Sequence, residues 1–280
     1  MPTVYLNGHF VPQEEALISP LDRGFLFGDG VYEVIRAYRG QPFLLDQHFE
    51  RLAYSLGEMR IGAYLTPIKE VPARLLLENG LEGGDAMVYL QVTRGVAPRS
   101  HAFPPPEVKA TIFGMAWAFK PNPAWHDPGL TAILVPDLRW SRCDIKVTAL
   151  VPNVLAHQRA VEHGAHEALL VRDGVVLEGS HTSFLAVFEG EVRTAPLSNY
   201  VLPSITRAVV AGLCRDHEIP FSEAPVYEHE IGDAEEAFVA STLHEVGQIH
   251  VLNGRTLPKA RPVTEKLQRL FRQVVARECP

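Results

Sequence analysis

Three prolines within a short segment most constrain how this chain can fold. The segment at residues 119–129 reads FKPNPAWHDPG. Each proline removes a backbone N–H and disfavours helical geometry at the residue before it, so neither a helix nor a strand is expected to run through this segment. At 280 residues the chain also exceeds the usual size of one domain. We therefore predict two domains, at residues 1–118 and 130–280, joined by a linker at residues 119–129.

Composition and charge exclude several classes of protein. The net charge is −7 and no dense run of Lys or Arg occurs, so nucleic acid and anionic membranes are not expected partners. Three cysteines without paired or metal-ligand spacing predict neither a disulfide framework nor a metal site, and they fit a reducing compartment. The N-terminus has no apolar signal core, and no apolar run reaches membrane-spanning length. We therefore expect a cytoplasmic location.

The N-terminal piece predicts a mixture of strands and helices. Strands are expected at residues 31–38, 42–45, 86–93 and 109–117, which are rich in β-branched and aromatic residues. Asp46 is expected to N-cap a helix. The apolar residues of that helix recur at steps of three and four, namely Phe49, Leu52, Leu56 and Met59.

The C-terminal piece predicts tight hairpins that alternate with single helices. Asp173-Gly174 and Glu189-Gly190 are turn signals, the first between strands expected at residues 167–172 and 175–177. Further strands are expected at residues 131–135 and 237–240, and helices open near Pro152 and Pro203. In the second helix, Ile205, Val209 and Leu213 share one face. This pattern predicts an α+β fold, with a smaller N-terminal α/β domain and a larger C-terminal α/β domain.

Two residues are candidates for covalent and acid chemistry. Lys146 is followed by the uncharged run Val147 to Val151, and apolar surroundings favour the neutral, nucleophilic form of an amine. Glu178 follows a predicted strand and precedes Gly179-Ser180, so its carboxylate can reach into a cleft. The alternative for each is a solvated surface position.

Two further groups are candidates for binding anions. Behind Pro203, the residues Ser204, Ile205 and Thr206 form the first turn of a helix, whose free N–H groups suit a phosphate. Candidate partners for the same phosphate are the hydroxyls of Ser241 and Thr242 and the charge of Arg51. In the loop at residues 93–104, Arg99 and His101 lie two residues apart, so an extended backbone places both on one side as a carboxylate clamp, to which Tyr32 can add a hydroxyl.

An amine, an acid and a phosphate site are what pyridoxal 5'-phosphate requires of a protein. The segments DRGFLFGDGVYEV at residues 22–34, Lys146 and Glu178-Gly179-Ser180 resemble the fold-type IV pyridoxal phosphate aminotransferases. This family includes D-amino-acid transaminases, branched-chain aminotransferases and aminodeoxychorismate lyases. The segments VTRG at 92–95, PRSHAFP at 98–104 and RWSRCDIK at 139–146 are most similar to bacterial D-amino-acid transaminases.

The resemblance implies a role for each matching residue. Lys146 would form the Schiff base and carry the proton, and Glu178 would pair with the pyridine nitrogen. The rest of the implied cofactor site is Arg51, Ser180, Leu202, Ile205, Thr206, Ser241 and Thr242. The α-carboxylate of the substrate would be bound by Tyr32, Arg99 and His101. D-amino acids and 2-oxo acids are the implied substrates, and a homodimer with shared active sites is the implied assembly.

Some residues depart from the subfamily pattern. Ser183 and Ser204 stand where those transaminases carry Asn and Gly, and His244 stands where a small polar residue is usual. The rival interpretations are an L-branched-chain aminotransferase, an aminodeoxychorismate lyase, a cofactor-binding protein without turnover and a sugar- or peptide-binding module. The Arg99/His101 pair favours the D-amino-acid transaminase over the first two.

Overall fold

The computed structural model describes all 280 residues, which divide into two compact units. The first unit consists of Met1–Lys120, Ile145–Ala149 and Glu278–Pro280, and the second of Pro121–Asp144 and Leu150–Arg277. The domain boundaries predicted from the prolines, at residues 118 and 130, remain a prediction. Both units mix helices with mainly antiparallel strands, which confirms the predicted α+β class.

The first unit is a six-stranded antiparallel sheet with three helices. Its strands are β1 (Thr3–Leu6), β2 (His9–Pro12), β3 (Gly30–Tyr38), β4 (Gln41–Pro42), β5 (Ala86–Thr93) and β6 (Thr111–Ala118), in the order β2-β1-β6-β5-β3-β4. Its helices are α1 (Arg23–Phe27), α2 (Leu45–Met59) and α3 (Val71–Glu78), with 3-10 turns at Gln13–Glu15 and Pro67–Glu70. The strands predicted around β3, β5 and β6 are confirmed to within two residues.

The turn into α2 differs from the prediction. The expected strand at residues 42–45 is limited to Gln41–Pro42, because Leu44 adopts a left-handed conformation with φ 50° and α2 begins at Leu45. Asp46 is therefore not the N-cap but lies inside the first turn. Its negative charge there still interacts favourably with the positive end of the helix dipole. The predicted apolar face is confirmed, since Phe49, Leu52 and Leu56 are buried.

The segment Ile145–Ala149 extends the first unit along β3. Tyr32 donates its N–H to the carbonyl of Lys146 at 3.0 Å, and Thr148 donates to the carbonyl of Gly30 at 2.9 Å. Val147 forms an antiparallel bridge with Val31. This pairing of residues more than a hundred positions apart fixes the backbone of Lys146 beside Tyr32.

The second unit contains ten strands in one mixed sheet. Its strands are β7 (Leu130–Pro136), β8 (Glu167–Arg172), β9 (Val175–Gly179), β10 (Ser183–Phe188), β11 (Glu191–Thr194), β12 (Phe221–Glu223), β13 (Val226–Tyr227), β14 (Glu236–Ser241), β15 (Glu245–Leu252) and β16 (Arg255–Thr256). Its helices are α4 (Val151–Glu162), α5 (Ile205–Asp216) and α6 (Pro262–Glu278), with 3-10 turns at Pro123–Trp125 and Glu228–Asp233. None of the helices in either unit has both the length and the apolar character needed to span a bilayer.

Hairpin chemistry and one extra strand pair shape the second sheet. Asp173-Gly174 and Glu189-Gly190 have positive φ at both positions, as two-residue hairpins require, so both predicted turns are confirmed. The strands run in the order β12-β11-β10-β14-β15-β7-β8-β9-β13. Ser183 of β10 also pairs with Glu178 of β9, which closes the strands from β10 to β9 into a ring. Glu178 thus lies within a strand, one residue before its end.

The two helices that follow prolines begin as expected. Pro152 is in the first turn of α4, and Gly164, with φ 67°, follows its C-cap. The face expected for α5 is partly wrong. Its buried residues are Thr206, Arg207, Val210, Leu213 and Cys214, whereas Ile205 and Val209 are half-buried. The adjacent Val209 and Val210 made the helical periodicity ambiguous. Because Thr206 and Arg207 are buried, the buried face of α5 includes Val210 rather than Val209.

Candidate active site

The amine of Lys146 lies against the ring of Tyr32 in the first unit. Its Nζ is 4.3 Å from the ring centroid, a distance at which an aromatic face attracts a cation. The backbone N–H of Lys146 donates to Ser55 Oγ at 3.2 Å, and Ser55 is fully buried. Lys146 is half-buried. The hydrogen bond to Ser55 fixes its backbone, and the contact with Tyr32 orients its amine toward that ring.

Tyr32 is itself positioned by a second tyrosine. The rings of Tyr32 and Tyr89 stack at 5.6 Å between centroids, and the Tyr89 hydroxyl donates to Gln91 Oε1 at 2.6 Å. Burial, with a smaller effect from Tyr32, raises the pKa of Tyr89 to about 12. Tyr89 therefore stays a hydroxyl donor at neutral pH, and the pair presents Tyr32 to the amine of Lys146.

Arg51 is held by a buried carboxylate that sequence reasoning missed. Arg51 donates through Nε and NH2 to the two carboxylate oxygens of Glu33, each at 2.7 Å, and His48 Nδ1 lies 2.7 Å from the same carboxylate. Burial opposes ionisation of Glu33, but Arg51 and His48 outweigh it and lower its pKa to about 2. A signal was present: in β3, Val31, Glu33 and Ile35 alternate on one face, which puts a charge on the core side.

Replacement of Glu33 by glutamine is expected to destabilise the protein by about 3–5 kcal/mol at neutral pH, because a buried ion pair loses one charge. The lowered pKa of Glu33 also stabilises the fold above its unfolded value of 4.5, a contribution that is lost as pH falls toward 2. The free energy of unfolding, measured with urea between pH 4.5 and pH 2, should therefore fall less steeply for Glu33→Gln than for the wild type. Glu50→Gln replaces an exposed glutamate on α2 and serves as the control. An equal loss of unfolding free energy in the two variants would contradict the role assigned to Glu33.

Glu178 lies in a buried charge network in the second unit. Its Oε1 accepts from Arg139 NH1, and its Oε2 accepts from the backbone N–H of Leu202 at 3.1 Å. Arg139 in turn donates to both carboxylate oxygens of Asp137 at 2.9 and 3.0 Å. Burial raises the pKa of Glu178 although Arg139 acts against it. The carboxylate is thus rigidly held and has an increased affinity for a proton.

Ser180 follows Glu178 but directs its hydroxyl elsewhere. Its Oγ donates to Glu167 Oε1 at 2.5 Å, and its backbone N–H donates to the same oxygen at 3.0 Å. The carbonyl of Ser180 accepts from Asn153 Nδ2 at 2.7 Å. The position of Ser180 is therefore set by Glu167 and Asn153, which sequence reasoning did not connect with it.

The first turn of α5 has the features of an anion site. Ser204 is the N-cap, and its Oγ accepts the N–H of Arg207 at 3.2 Å. Ile205 begins the helix and Thr206 is buried in its first turn. The guanidinium of Arg207 is buried, and its Nε and NH1 have no hydrogen-bond partner. The NH2 of Arg207 already donates to the carbonyl of Ala195 at 2.8 Å and pairs with Glu223 at 3.0 Å. The free N–H groups of the first turn are therefore the feature that favours a bound anion.

Ser241 and Thr242 lie where β14 turns into β15. Ser241 Oγ accepts the backbone N–H of His244 at 3.0 Å and lies 3.1 Å from His244 Nδ1. Burial, reinforced by nearby histidines, lowers the pKa of His244 to about 3, so its ring is neutral. The neutral ring packs against Trp125 with 4.6 Å between ring centroids. His244 therefore occupies part of the hydrogen-bonding capacity of Ser241.

Arg99 and His101 flank one aromatic ring in the first unit. The Arg99 guanidinium is 5.2 Å and the His101 ring 5.6 Å from the centroid of Phe27, and both side chains belong to exposed residues. Arg23 anchors their loop by donating to the carbonyl of Ser100 at 2.6 Å. Both side chains therefore approach the same ring, and their role as a carboxylate clamp stays a prediction.

The comparisons with known proteins identify the class of this chain. The family model for class IV aminotransferases matches residues 30–252, and the chain belongs to that family. The D-alanine aminotransferases of Staphylococcus haemolyticus and Bacillus licheniformis are 39% and 35% identical to it, each over 98% of both chains.

Solved structures of branched-chain aminotransferases share its fold. That of Thermoproteus uzoniensis, described with norvaline, has a TM-score of 0.88 and 27% identity, covering 99% of this chain and 95% of that one. That of Escherichia coli has a TM-score of 0.84 and 21% identity, covering 96% and 92%. The fold is therefore fold-type IV, and the resemblance seen in the sequence is confirmed.

Proposed function

We propose that this aminotransferase is a D-amino-acid transaminase that depends on pyridoxal 5'-phosphate. It transfers the amino group of a D-amino acid such as D-alanine to 2-oxoglutarate, giving D-glutamate and a 2-oxo acid in a ping-pong sequence. The observation that carries the substrate class is the pairing of Arg99 and His101 around Phe27. The D-alanine aminotransferases to which the chain is similar support the same class.

The donor set fits the cofactor. Pyridoxal phosphate needs an amine, an acid for its ring nitrogen and a dianion site, and when bound it supplies an electron sink for the bonds of the substrate α-carbon. Lys146 offers the amine, and Glu178 offers a fixed carboxylate with a raised pKa. The first turn of α5, with its free backbone N–H groups, suits the phosphate. Further candidate contacts are Arg51, Ser180, Leu202, Ile205, Thr206, Ser241 and Thr242.

Each of these side chains has a defined task in the proposal. Lys146 Nζ removes the proton from the substrate α-carbon and returns it later, acting as general base and acid. Glu178 would hold the ring nitrogen of the cofactor and favour its protonated form, and Arg139 holds Glu178 in place. Tyr32, Arg99 and His101 bind the α-carboxylate by charge-assisted hydrogen bonds.

The decisive experiment mixes the holoenzyme with one amino donor at a time, without an acceptor, and records its visible spectrum. D-alanine is expected to change the spectrum and L-leucine is not. In Arg99→Ala, the D-alanine concentration that gives half of the spectral change is expected to rise about 10- to 100-fold, since a charge-assisted hydrogen bond is lost. Arg74→Ala, an exposed arginine on α3, serves as the control.

The opposite result would move the chain to another branch of its family. A response to L-leucine alone would favour a branched-chain aminotransferase, the class of the solved structures that share the fold. An unchanged requirement for D-alanine in Arg99→Ala would remove the carboxylate clamp from the proposal. A homodimer with shared sites and a cytoplasmic location stay predictions.

A further inference from the structure

Two histidines and a glutamate meet in the second unit. His157 comes from α4, Glu167 begins β8, and His181 lies in the turn between β9 and β10. Each offers a ligand atom, and these atoms all lie within 4.8 Å of one another. Their separations in sequence match no short metal motif, which explains why the sequence did not predict a metal site.

Glu167 is the fixed member of this group. Its Oε1 accepts from the backbone N–H groups of Ala168 and Ser180 at 2.8 and 3.0 Å and from Ser180 Oγ at 2.5 Å. Its Oε2 accepts from Thr182 Oγ1 at 2.8 Å and lies 3.4 Å from His181 Nδ1. Hydrogen bonds of this kind orient the carboxylates that bind metals. Oε2 therefore keeps acceptor capacity on the side of His181.

The two histidines can adjust around this carboxylate. Their rings lie 5.0 Å apart at 85°, and both ring nitrogens Nδ1 approach Ser180 Oγ, at 3.5 Å for His157 and 2.9 Å for His181. Ligands of a zinc ion lie about 2.0–2.2 Å from the metal, so three of them must approach to roughly 3.4 Å. His181 is exposed and His157 half-buried, so small side-chain rotations can provide this contraction.

We propose that His157, Glu167 and His181 form a binding site for a divalent first-row transition cation. Two imidazoles and one carboxylate are a ligand set that suits zinc and leaves a position open for water. A cation also offsets the negative charge of Glu167, whose residue is only 1% exposed. This proposed cation site adjoins the proposed cofactor site, because Ser180, a candidate cofactor contact, donates its hydroxyl to Glu167.

The test is calorimetric titration of the untagged holoenzyme with zinc chloride. We expect one saturable site per chain. His181→Ala and His157→Ala should each weaken zinc binding by at least about 100-fold, because each removes a direct ligand. His163→Ala is the matched control: His163 is exposed at the end of α4, with Nδ1 2.7 Å from the carbonyl of Arg159, and its loss should leave the affinity unchanged.

Thermal unfolding gives a second readout. Zinc should raise the Tm of the wild type and of His163→Ala, because a ligand that binds the folded state stabilises it, but not the Tm of His181→Ala. His181 is exposed, so its replacement by alanine preserves the fold. Absence of saturable binding by the wild type, or equal affinity in wild type and His181→Ala, would overturn the proposal.

Discussion

Replacement of Lys146 by alanine is expected to lower turnover by at least about 10⁴-fold, because it removes both the amine that bonds to the cofactor and the base that moves the α-proton. Lys146 Nζ is the amine that the first unit holds over the Tyr32 ring. The measurement is single-turnover kinetics with D-alanine, together with the visible absorption of covalently bound cofactor, which should disappear. The fold should persist, since Val147 and Thr148 keep the pairing with β3.

Two controls separate this chemistry from a structural effect. Lys69→Ala removes an exposed lysine paired with Asp46 and should keep normal turnover, since surface ion pairs are worth little. A small amine such as methylamine should restore part of the activity of Lys146→Ala, because it can occupy the vacated space and accept the proton. Near-normal turnover in Lys146→Ala without added amine would exclude the assigned role.

Replacement of Glu178 by glutamine is expected to reduce kcat by about 10²- to 10³-fold while the cofactor stays bound. Glutamine keeps the shape of the side chain, but it has one acceptor oxygen where Glu178 uses two, for Arg139 and for the N–H of Leu202. It also carries no charge to stabilise a protonated ring nitrogen. Arg139 keeps its pair of hydrogen bonds to Asp137, so the network should survive. Stopped-flow kinetics of α-proton removal from D-alanine measures the effect directly.

The matched control for this variant is Glu191→Gln, which removes a partly exposed carboxylate paired with Arg193 in the same sheet. Its kcat should equal that of the wild type. A purely structural role for Glu178 would instead lower cofactor affinity or Tm and leave kcat of the loaded enzyme intact. That pattern would count against the proposed pairing with the ring nitrogen.

The fold was predictable where local chemistry decides it. Asp173-Gly174 and Glu189-Gly190 specify hairpins through residues that tolerate positive φ, and the three- and four-residue spacing in α2 specifies its buried face. Prediction failed where tertiary contacts override local preference. Leu44 adopts a left-handed conformation that its side chain disfavours, and α5 buries Arg207, a residue that a sequence pattern assigns to the surface.

The sequence predicts which residues belong to the candidate site better than it predicts the hydrogen-bonded partners that hold them. Lys146, Glu178 and the Arg99/His101 pair were candidates by residue type, and the family resemblance of the segments around them supplied their implied roles. Glu33, Arg139 and Glu167 are buried carboxylate and guanidinium groups, and they position Arg51, Glu178 and Ser180 respectively through contacts between distant parts of the chain. Such partners are set by strand register and helix packing, which no local pattern encodes.

The segment Ile145–Ala149 has a consequence for the order in which the protein assembles during synthesis. Because it pairs with β3, the first unit lacks part of its structure until the ribosome has translated past Ala149, well into the second unit. Domains that fold as they emerge normally do so from the N-terminus onward. Here the segment that carries Lys146, the proposed catalytic lysine, is synthesised after the six strands of the first sheet, so its amine reaches its position only once the strand that pairs with it is available.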